Sequence, residues 1–334
     1  MKKSKRLLLG ILIGALAVGG LTGCKSPAKK VKLEKGEVKE QSIVLTVGDI
    51  GVEYREIRNY CYLLKRQYEG NFGADIWGYA LGDSDSIGNQ AKEEVLNMVT
   101  QLKVIKEEAQ NAKITLTNDE KDEALQKAEE VMADTTAEER REYFLSVQNL
   151  SELYEENLLA NKMFYVATDE ADTQVSDETA KQIKIQFLQV MTKGTNKDGL
   201  ELNMDETAKK TAAKKARALL KQAGGEEDFL SFAQSNTDNQ VTELTLGTDD
   251  KTIAPQAVAA AFSLTKKEMS PVIEGDDGYY IIYCVDDNDQ DATYAKKEQI
   301  IRERQTKMFK KKYAEWLGSS EVRISNSFWK IFKI

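Results

Sequence analysis

Ile183-Lys184-Ile185-Gln186-Phe187-Leu188-Gln189-Val190 and Gly278-Tyr279-Tyr280-Ile281-Ile282-Tyr283-Cys284-Val285 read as two strands, and the chain between them reads as helices. The helical segments are a Lys/Ala-rich one from Asp205 to Ala223, a short one from Glu227 to Ser235, and a helical turn from Pro255 to Phe262. This order predicts an α+β unit, a small sheet with helices packed on it. Acidic, polar stretches bracket it, Thr168-Asp169-Glu170-Ala171-Asp172-Thr173 before and Asp286-Asp287-Asn288-Asp289-Gln290-Asp291 after, so the unit is placed at 177–291.

Outward toward the N-terminus the texture is helical. Ile43-Val44-Leu45-Thr46-Val47 is a short β-branched run ending at Gly48-Asp49, a strand followed by a turn. A helix is expected next, because Ile57, Cys61, Leu64 and Tyr68 fall at i, i+4, i+7 and i+11 on one face. The Gly-rich stretch from Gly70 to Gly88 reads as a long loop, and Val95, Met98, Leu102, Ile105 and Ala109 then restore the helical stripe. Thr117 with Glu120, and Thr136 with Glu139, have capping-box spacing and open further helices. A last stripe runs through Leu150, Leu153, Leu158, Met163 and Phe164, closing a helical domain at 43–167. Toward the C-terminus a charged helix from Tyr294 to Leu317 precedes a tail carrying Phe328, Trp329 and Phe332. Such a tail packs rather than waves, so 293–334 is expected to return to the helical domain and complete it.

The first residues, Met1-Lys2-Lys3-Ser4-Lys5-Arg6, precede an apolar run from Leu7 to Leu21, the layout of a secretory signal. That run is short for a bilayer span, which needs ~20 apolar residues. It ends in Leu21-Thr22-Gly23-Cys24, which resembles the bacterial lipobox. The resemblance implies a signal peptide at 1–23, cleavage before Cys24, a lipid on its thiol, and a home on the extracytoplasmic face of the cell membrane. An ordinary signal peptide, or an uncleaved anchor, is the alternative. The polar, Lys-rich stretch that follows, 24–42, reads as a flexible tether whose lysines could also touch anionic lipid.

Composition removes whole classes of function. The chain has a net charge of −8, and losing Lys2, Lys3, Lys5 and Arg6 leaves 43 basic against 55 acidic residues, a net of −12, so nucleic acid is not an expected partner. It has no histidine, which excludes Ser-His and Cys-His catalysis and His-ligated zinc. Besides Cys24 there are only Cys61 and Cys284, far apart and without a CxxC partner, which could be a disulfide or two buried thiols. Asp287, Asp289, Asp291 and Glu298 have EF-hand-like spacing, but position 6 is Ala292 where the loop wants Gly; a solvated acidic linker is the favoured reading, with no metal and no cofactor.

The segments Asp228-Phe229-Leu230-Ser231-Phe232-Ala233, Ala260-Ala261-Phe262-Ser263-Leu264, Ser270-Pro271-Val272-Ile273 and Gly278-Tyr279-Tyr280-Ile281-Ile282 are similar to those of PrsA/SurA-type foldases, extracytoplasmic chaperones with a parvulin-like peptidyl-prolyl isomerase domain. The resemblance implies a helical SurA-N-like chaperone domain, completed by the C-terminal helix, with the parvulin-like α+β domain inserted. It also implies unfolded or newly exported polypeptides as partners. No oligomeric state follows from it.

Against the family pattern A-S-H-I-L-V, Phe187 stands where the first core histidine is expected, and against G-Y-H-I-I, Tyr280 stands where the second is expected. Thr245, before Leu246-Gly247, falls where the family tends to have Asp or Cys; Ile253 precedes Ala254-Pro255 where a Met is usual; Phe262 matches a pocket aromatic, and Ala257 replaces another. Phe187, Thr245, Ile253, Phe262 and Tyr280 are thus the candidate remnant of a proline pocket. Prolyl isomerisation breaks no bond; an enzyme must bind the twisted amide better than either planar form, across a barrier of ~18–20 kcal/mol. Without paired imidazoles the expectation is a chaperone whose isomerase is weak or inactive, with an active isomerase and a scaffold or binding lipoprotein as alternatives.

Overall fold

The computed structural model describes residues 29–33, 36–81 and 86–334. The expected signal peptide and Cys24 lie outside the described residues. The chain divides into two compact units, one formed by the residues up to Ala171 together with Gln305–Ile334, the other by Asp172–Arg304.

In the first unit, β1 (Lys29–Val31), β2 (Ile43–Val47), β3 (Ile50–Glu53) and β10 (Val322–Ser325) form a sheet in the order β1-β10-β2-β3. β2 and β3 make a hairpin with Val47 opposite Ile50, turning through Gly48 at φ 54°, a left-handed conformation glycine accepts without strain. The helix expected directly after β2 therefore starts one strand later, as α1 (Tyr54–Phe72). Its buried face carries Ile57, Tyr60, Cys61 and Leu64. Two departures concern the chain ends. Lys29–Val31, expected within a flexible tether, is a strand parallel to β10, and the tail strand β10 lies between β1 and β2 rather than merely against helices. Both pairings join residues hundreds of positions apart, which local composition does not encode.

α2 (Ile87–Asn111), α3 (Asn118–Ala133), α4 (Ala137–Glu142) and α5 (Val147–Ala167) complete the helical layer. Both expected capping boxes are formed: Glu120 N–H donates to Thr117 Oγ1 at 3.3 Å while Glu120 Oε2 accepts from Thr117 N–H at 2.7 Å, and Thr136 with Glu139 does the same. The Gly-rich stretch is shorter than expected, since α1 runs to Phe72 and a 3-10 turn occupies Ala74–Gly78, where Trp77 stacks on Tyr68. From the C-terminal end, Phe309 packs on Phe164 with ring centroids 5.2 Å apart, and Phe328 stacks on Phe332 at 4.7 Å. These rings, with Val322 and Ile324, belong to the same core as α1, α2 and α5.

The second unit is built on β4 (Ile183–Met191), β7 (Glu243–Leu246), β8 (Ile273–Glu274) and β9 (Gly278–Asp286), antiparallel throughout in the order β7-β4-β9-β8. A one-turn helix α6 (Asp177–Ala180) precedes β4, and a hairpin of β5 (Lys193–Thr195) with β6 (Glu201–Asn203) follows it. α7 (Glu206–Ala223) and α8 (Phe229–Asn236) cover one face of the sheet through Ala212, Ala216, Leu219, Phe229 and Ala233, against Leu188, Val190 and Ile281. α9 (Pro255–Ala261) covers the other. At Gly278 a Cβ would come within 2.5 Å of the Val190 carbonyl oxygen, so the close approach of β9 to β4 requires glycine there.

The acidic stretch at 286–291 is not a linker. It is the end of β9 and the first turn of α10 (Gln290–Ser319), and its carboxylates are used locally: Asp286 Oδ1 accepts from Asn288 N–H and Asp289 Oδ1 from Ala292 N–H, both at 3.0 Å. Thr293 is buried and accepts a hydrogen bond from Gln182 N–H at 3.0 Å. The first half of α10 accordingly belongs to the second unit and the rest to the first.

Candidate functional site

On the face of the second unit's sheet under α9, the period of two brings Ile183, Ile185 and Phe187 of β4, Leu246 of β7, and Tyr280 and Ile282 of β9 to one side, where Ile253, Ala257, Val258 and Ala261 close over them. Phe187 lies opposite Ile282 and Gln189 opposite Tyr280 in the β4–β9 register. Phe187 and Tyr280 are both fully buried, with ring centroids 6.2 Å apart. The two residues expected at histidine positions thus meet, as filled core.

Tyr280 also carries a polar tip that must be satisfied once buried. Its hydroxyl donates to Asp277 Oδ1 at 2.7 Å and accepts from the Ala254 N–H at 3.4 Å. The approach is possible because residue 275 is glycine: a Cβ there would stand 2.6 Å from Ala254 Cβ and 3.0 Å from Tyr280 Cε2. Burial, and then the hydrogen bond and charge of Asp277, push the phenol well above its ordinary value. It is a neutral hydrogen-bonding group and not a proton-transfer group near neutral pH. Burial likewise raises the Cys284 thiol.

Of the other expected pocket residues, Ile253 is buried and Phe262 is half-buried against the same cluster, so both stay with Phe187 and Tyr280. Thr245 does not. It is exposed on β7 opposite Lys184, and its neighbours Leu244 and Leu246 take the inward positions, so alternation turns its hydroxyl to the far face. Gln189 and Asn239 were not legible as site residues. Gln189 is buried on the Tyr280 side, its Oε1 accepts from Asn239 Nδ2 at 2.7 Å, and its Nε2 has no hydrogen-bond partner among the described residues. The loop carrying Asn239 is clamped to β4 by Gln189 N–H donating to Thr237 Oγ1 at 2.9 Å and Asp238 N–H donating to Gln189 O at 2.8 Å. A Gln at position 189, on the same alternation as Ile183, Ile185 and Phe187, was the available signal.

The first unit contains a cleft of about 470 Å³ whose walls include Ile50 and Gly51 of β3, Ile114, Leu116, Leu153 and Leu159. Its charged floor is centred on Lys103, whose Nζ lies 2.6 Å from Glu56 Oε1 and 2.5 Å from Glu156 Oε1, with Lys106 Nζ 2.6 Å from the same Glu156 oxygen. Burial works against Glu156's charge, but Lys103 and Lys106 outweigh it and hold that carboxyl below its ordinary value. At Glu56 burial wins over Lys103 and raises the carboxyl. Cys61, in the same unit, is pushed by burial to about 12, leaving an inert thiol. Cys61 and Cys284 are both free and buried, each in its own unit. No helix among the described residues is long and apolar enough to cross a membrane.

Residues 195–296 match the family model of the PPIC-type PPIASE domain. Thr245, Ile253, Phe262 and Tyr280 lie inside that stretch; β4, with Phe187, lies just before it. No curated protein matches the chain. Similar solved structures include the foldase PrsA of Lactococcus lactis, with 14% identity over 86% of this chain and 96% of that one and a TM-score of 0.35. The peptidylprolyl isomerase PrsA of Bacillus cereus gives 15% identity over 84% and 90%, with a TM-score of 0.32. A structure from Campylobacter jejuni described under the SurA-like chaperones PEB4 and Cj1289 gives 11% over 85% and 99%, also with a TM-score of 0.32. The inserted α+β unit of this chain is a parvulin-like domain of the PPIC type, with phenylalanine and tyrosine packed on the face of its sheet beneath α9.

Proposed function

We propose that this protein is a membrane-anchored extracytoplasmic foldase, held by a lipid on Cys24, that acts mainly as a chaperone for unfolded or newly exported polypeptides and is weak or inactive as an isomerase. The observation that carries the reading is the pair Phe187 and Tyr280, fully buried against each other in the parvulin-like unit. A parvulin-like centre needs polar groups around the amide it twists; here those positions hold an apolar ring and a phenol already committed to Asp277 and Ala254. Holding an unfolded segment needs no such chemistry, only a surface that lowers its exposure to aggregation. A lipid anchor adds to this by concentrating the holder at the membrane.

The test has two arms. The chain without its signal should slow aggregation of a chemically unfolded secretory protein, and cis/trans exchange of a proline peptide followed by NMR should stay near the uncatalysed rate of tens to hundreds of seconds. Unaltered client aggregation would sink the chaperone reading. Accelerated exchange would favour the second reading, an active isomerase, which the retained Ile253 and Phe262 beside Tyr280 make worth measuring.

A further inference from the structure

Two lysines of the first unit lie over one aromatic pair, and a third is close to them. Lys30 Nζ, on β1, lies 4.8 Å from the Trp329 ring centroid; Lys92 Nζ, near the start of α2, lies 4.8 Å from the same ring and 5.5 Å from that of Phe332. Lys333 is close enough that its charge, with that of Lys30, adds to burial in lowering the Lys92 ammonium, against the pull of Glu93. Neighbouring Lys29 has an acidic partner, Glu321 at 3.6 Å, but Lys30, Lys92 and Lys333 have no carboxylate within ion-pair distance among the described residues. Like charges crowded this way repel, and two of them lean on aromatic faces instead of acids. The surrounding surface adds exposed Lys32 and Lys330, and Ile331 at 52% exposure on α11 (Asn326–Ile331). In a chain with 55 acidic residues and net charge −8, this is a local excess of unmatched cations beside a half-buried tryptophan.

That chemistry fits the headgroup zone of an anionic bilayer, where lysines meet phosphates and indole rings sit at the boundary. Chain length points the same way. Lys29, the first residue of β1, is only five positions after Cys24, a reach of at most about 18 Å at 3.3–3.6 Å per residue. We propose that the edge of the first unit formed by β1 and α11 docks on anionic lipid headgroups through Lys30, Lys92, Lys333 and Trp329. The lipid on Cys24 and this patch are then two parts of one attachment, as a single lipid signal is commonly reinforced by a basic surface. The placement rests on the anchored reading above; the chemistry of the patch does not.

The chain from residue 24 on, carrying Cys24→Ser so that no lipid is attached, is mixed with phosphatidylcholine vesicles with and without phosphatidylglycerol. It should sediment with the anionic vesicles only, and salt should release it. Lys30→Gln, Lys92→Gln and Lys333→Gln should each weaken binding about fivefold, Lys92→Arg should retain it, and Lys251→Gln in the other unit should change nothing. Circular dichroism of each variant separates lost binding from lost folding. Equal affinity for both vesicle types, undiminished binding by the three glutamine variants, or displacement by inorganic phosphate where chloride at the same ionic strength fails would each overturn the proposal. Lipidation is read separately, by whether Cys24→Ser in the full chain releases the protein from cell membranes, so the failure of one reading leaves the other measurable.

Discussion

Lys103 is the residue whose loss the first unit should feel most. Its side chain is 3% exposed and lies between Glu56 and Glu156, with Lys106 sharing Glu156 from outside. Removing one member of a buried ionic cluster leaves the others uncompensated, so Lys103→Met is expected to lower unfolding free energy by about 3–5 kcal/mol. Urea denaturation measures this, and adding Glu56→Gln to Lys103→Met should recover part of the loss by removing one of two facing carboxylates. The same cluster sets opposite pH slopes. Glu156 is held below its ordinary 4.5, so the stability it contributes is present above that value and is lost as pH falls through its folded value; Glu156→Gln should flatten the acid limb. Glu56 is raised, so the unfolded state releases its proton first and stability declines as pH climbs from 4.5 to the raised value; Glu56→Gln should remove that decline. A stability profile unchanged by either substitution would mean that the cluster is solvated rather than buried.

Elements whose signals are local were legible. The box at the start of α3, with Thr117 Oγ1 accepting from Glu120 N–H at 3.3 Å, is one, and Thr117→Ala should cost about 1 kcal/mol, read as a lower thermal midpoint with unchanged helix content below the transition. β4, β9 and α7 also follow from composition and period, and Asp205 supplies the N-cap of α7 by accepting from Ala208 N–H at 2.8 Å. β1 was not legible, because Lys29-Lys30-Val31 becomes a strand only when β10 offers an edge, and β10 comes from the other end of the chain. β3 was hidden because Ile50–Glu53 runs straight into α1, and β7 because Glu-Leu-Thr-Leu is too short to announce itself. The candidate site divides by the same logic. Of the residues named by matching motifs, Phe187 and Tyr280 face inward on the sheet and Ile253 and Phe262 join the same cluster from the ends of α9, whereas Thr245, placed by a gapped match, is turned outward by the pleat. Gln189 and Asn239 meet only through a loop folded back on β4, a contact that no spacing reveals.

At the scale of the whole molecule, the composition makes a claim that the site then tests. With no histidine anywhere, no side chain has its ordinary pKa between pH 5 and 8, and both the Tyr280 phenol and the buried thiols are moved further from neutrality. Aggregation suppression, and whatever cis/trans acceleration the parvulin-like unit supplies, should therefore run level from about pH 6 to 8, without the inflection a histidine pair would impose. Tyr280→Phe makes the argument specific. The substitution keeps the ring packed against Phe187 but leaves Asp277 Oδ1 and the Ala254 N–H without the hydroxyl between them. Stability should drop by about 1–3 kcal/mol, the cost of unpairing the buried Ala254 N–H and the partly buried Asp277 carboxylate, and the parvulin-like unit should unfold at lower urea. A hydroxyl that is purely structural would leave peptide exchange and client holding at their starting values below that transition. A fall in exchange rate with the fold intact would instead make the phenol part of a working centre, with Asp277 as its positioning residue, and would replace the chaperone-first reading with a histidine-free isomerase.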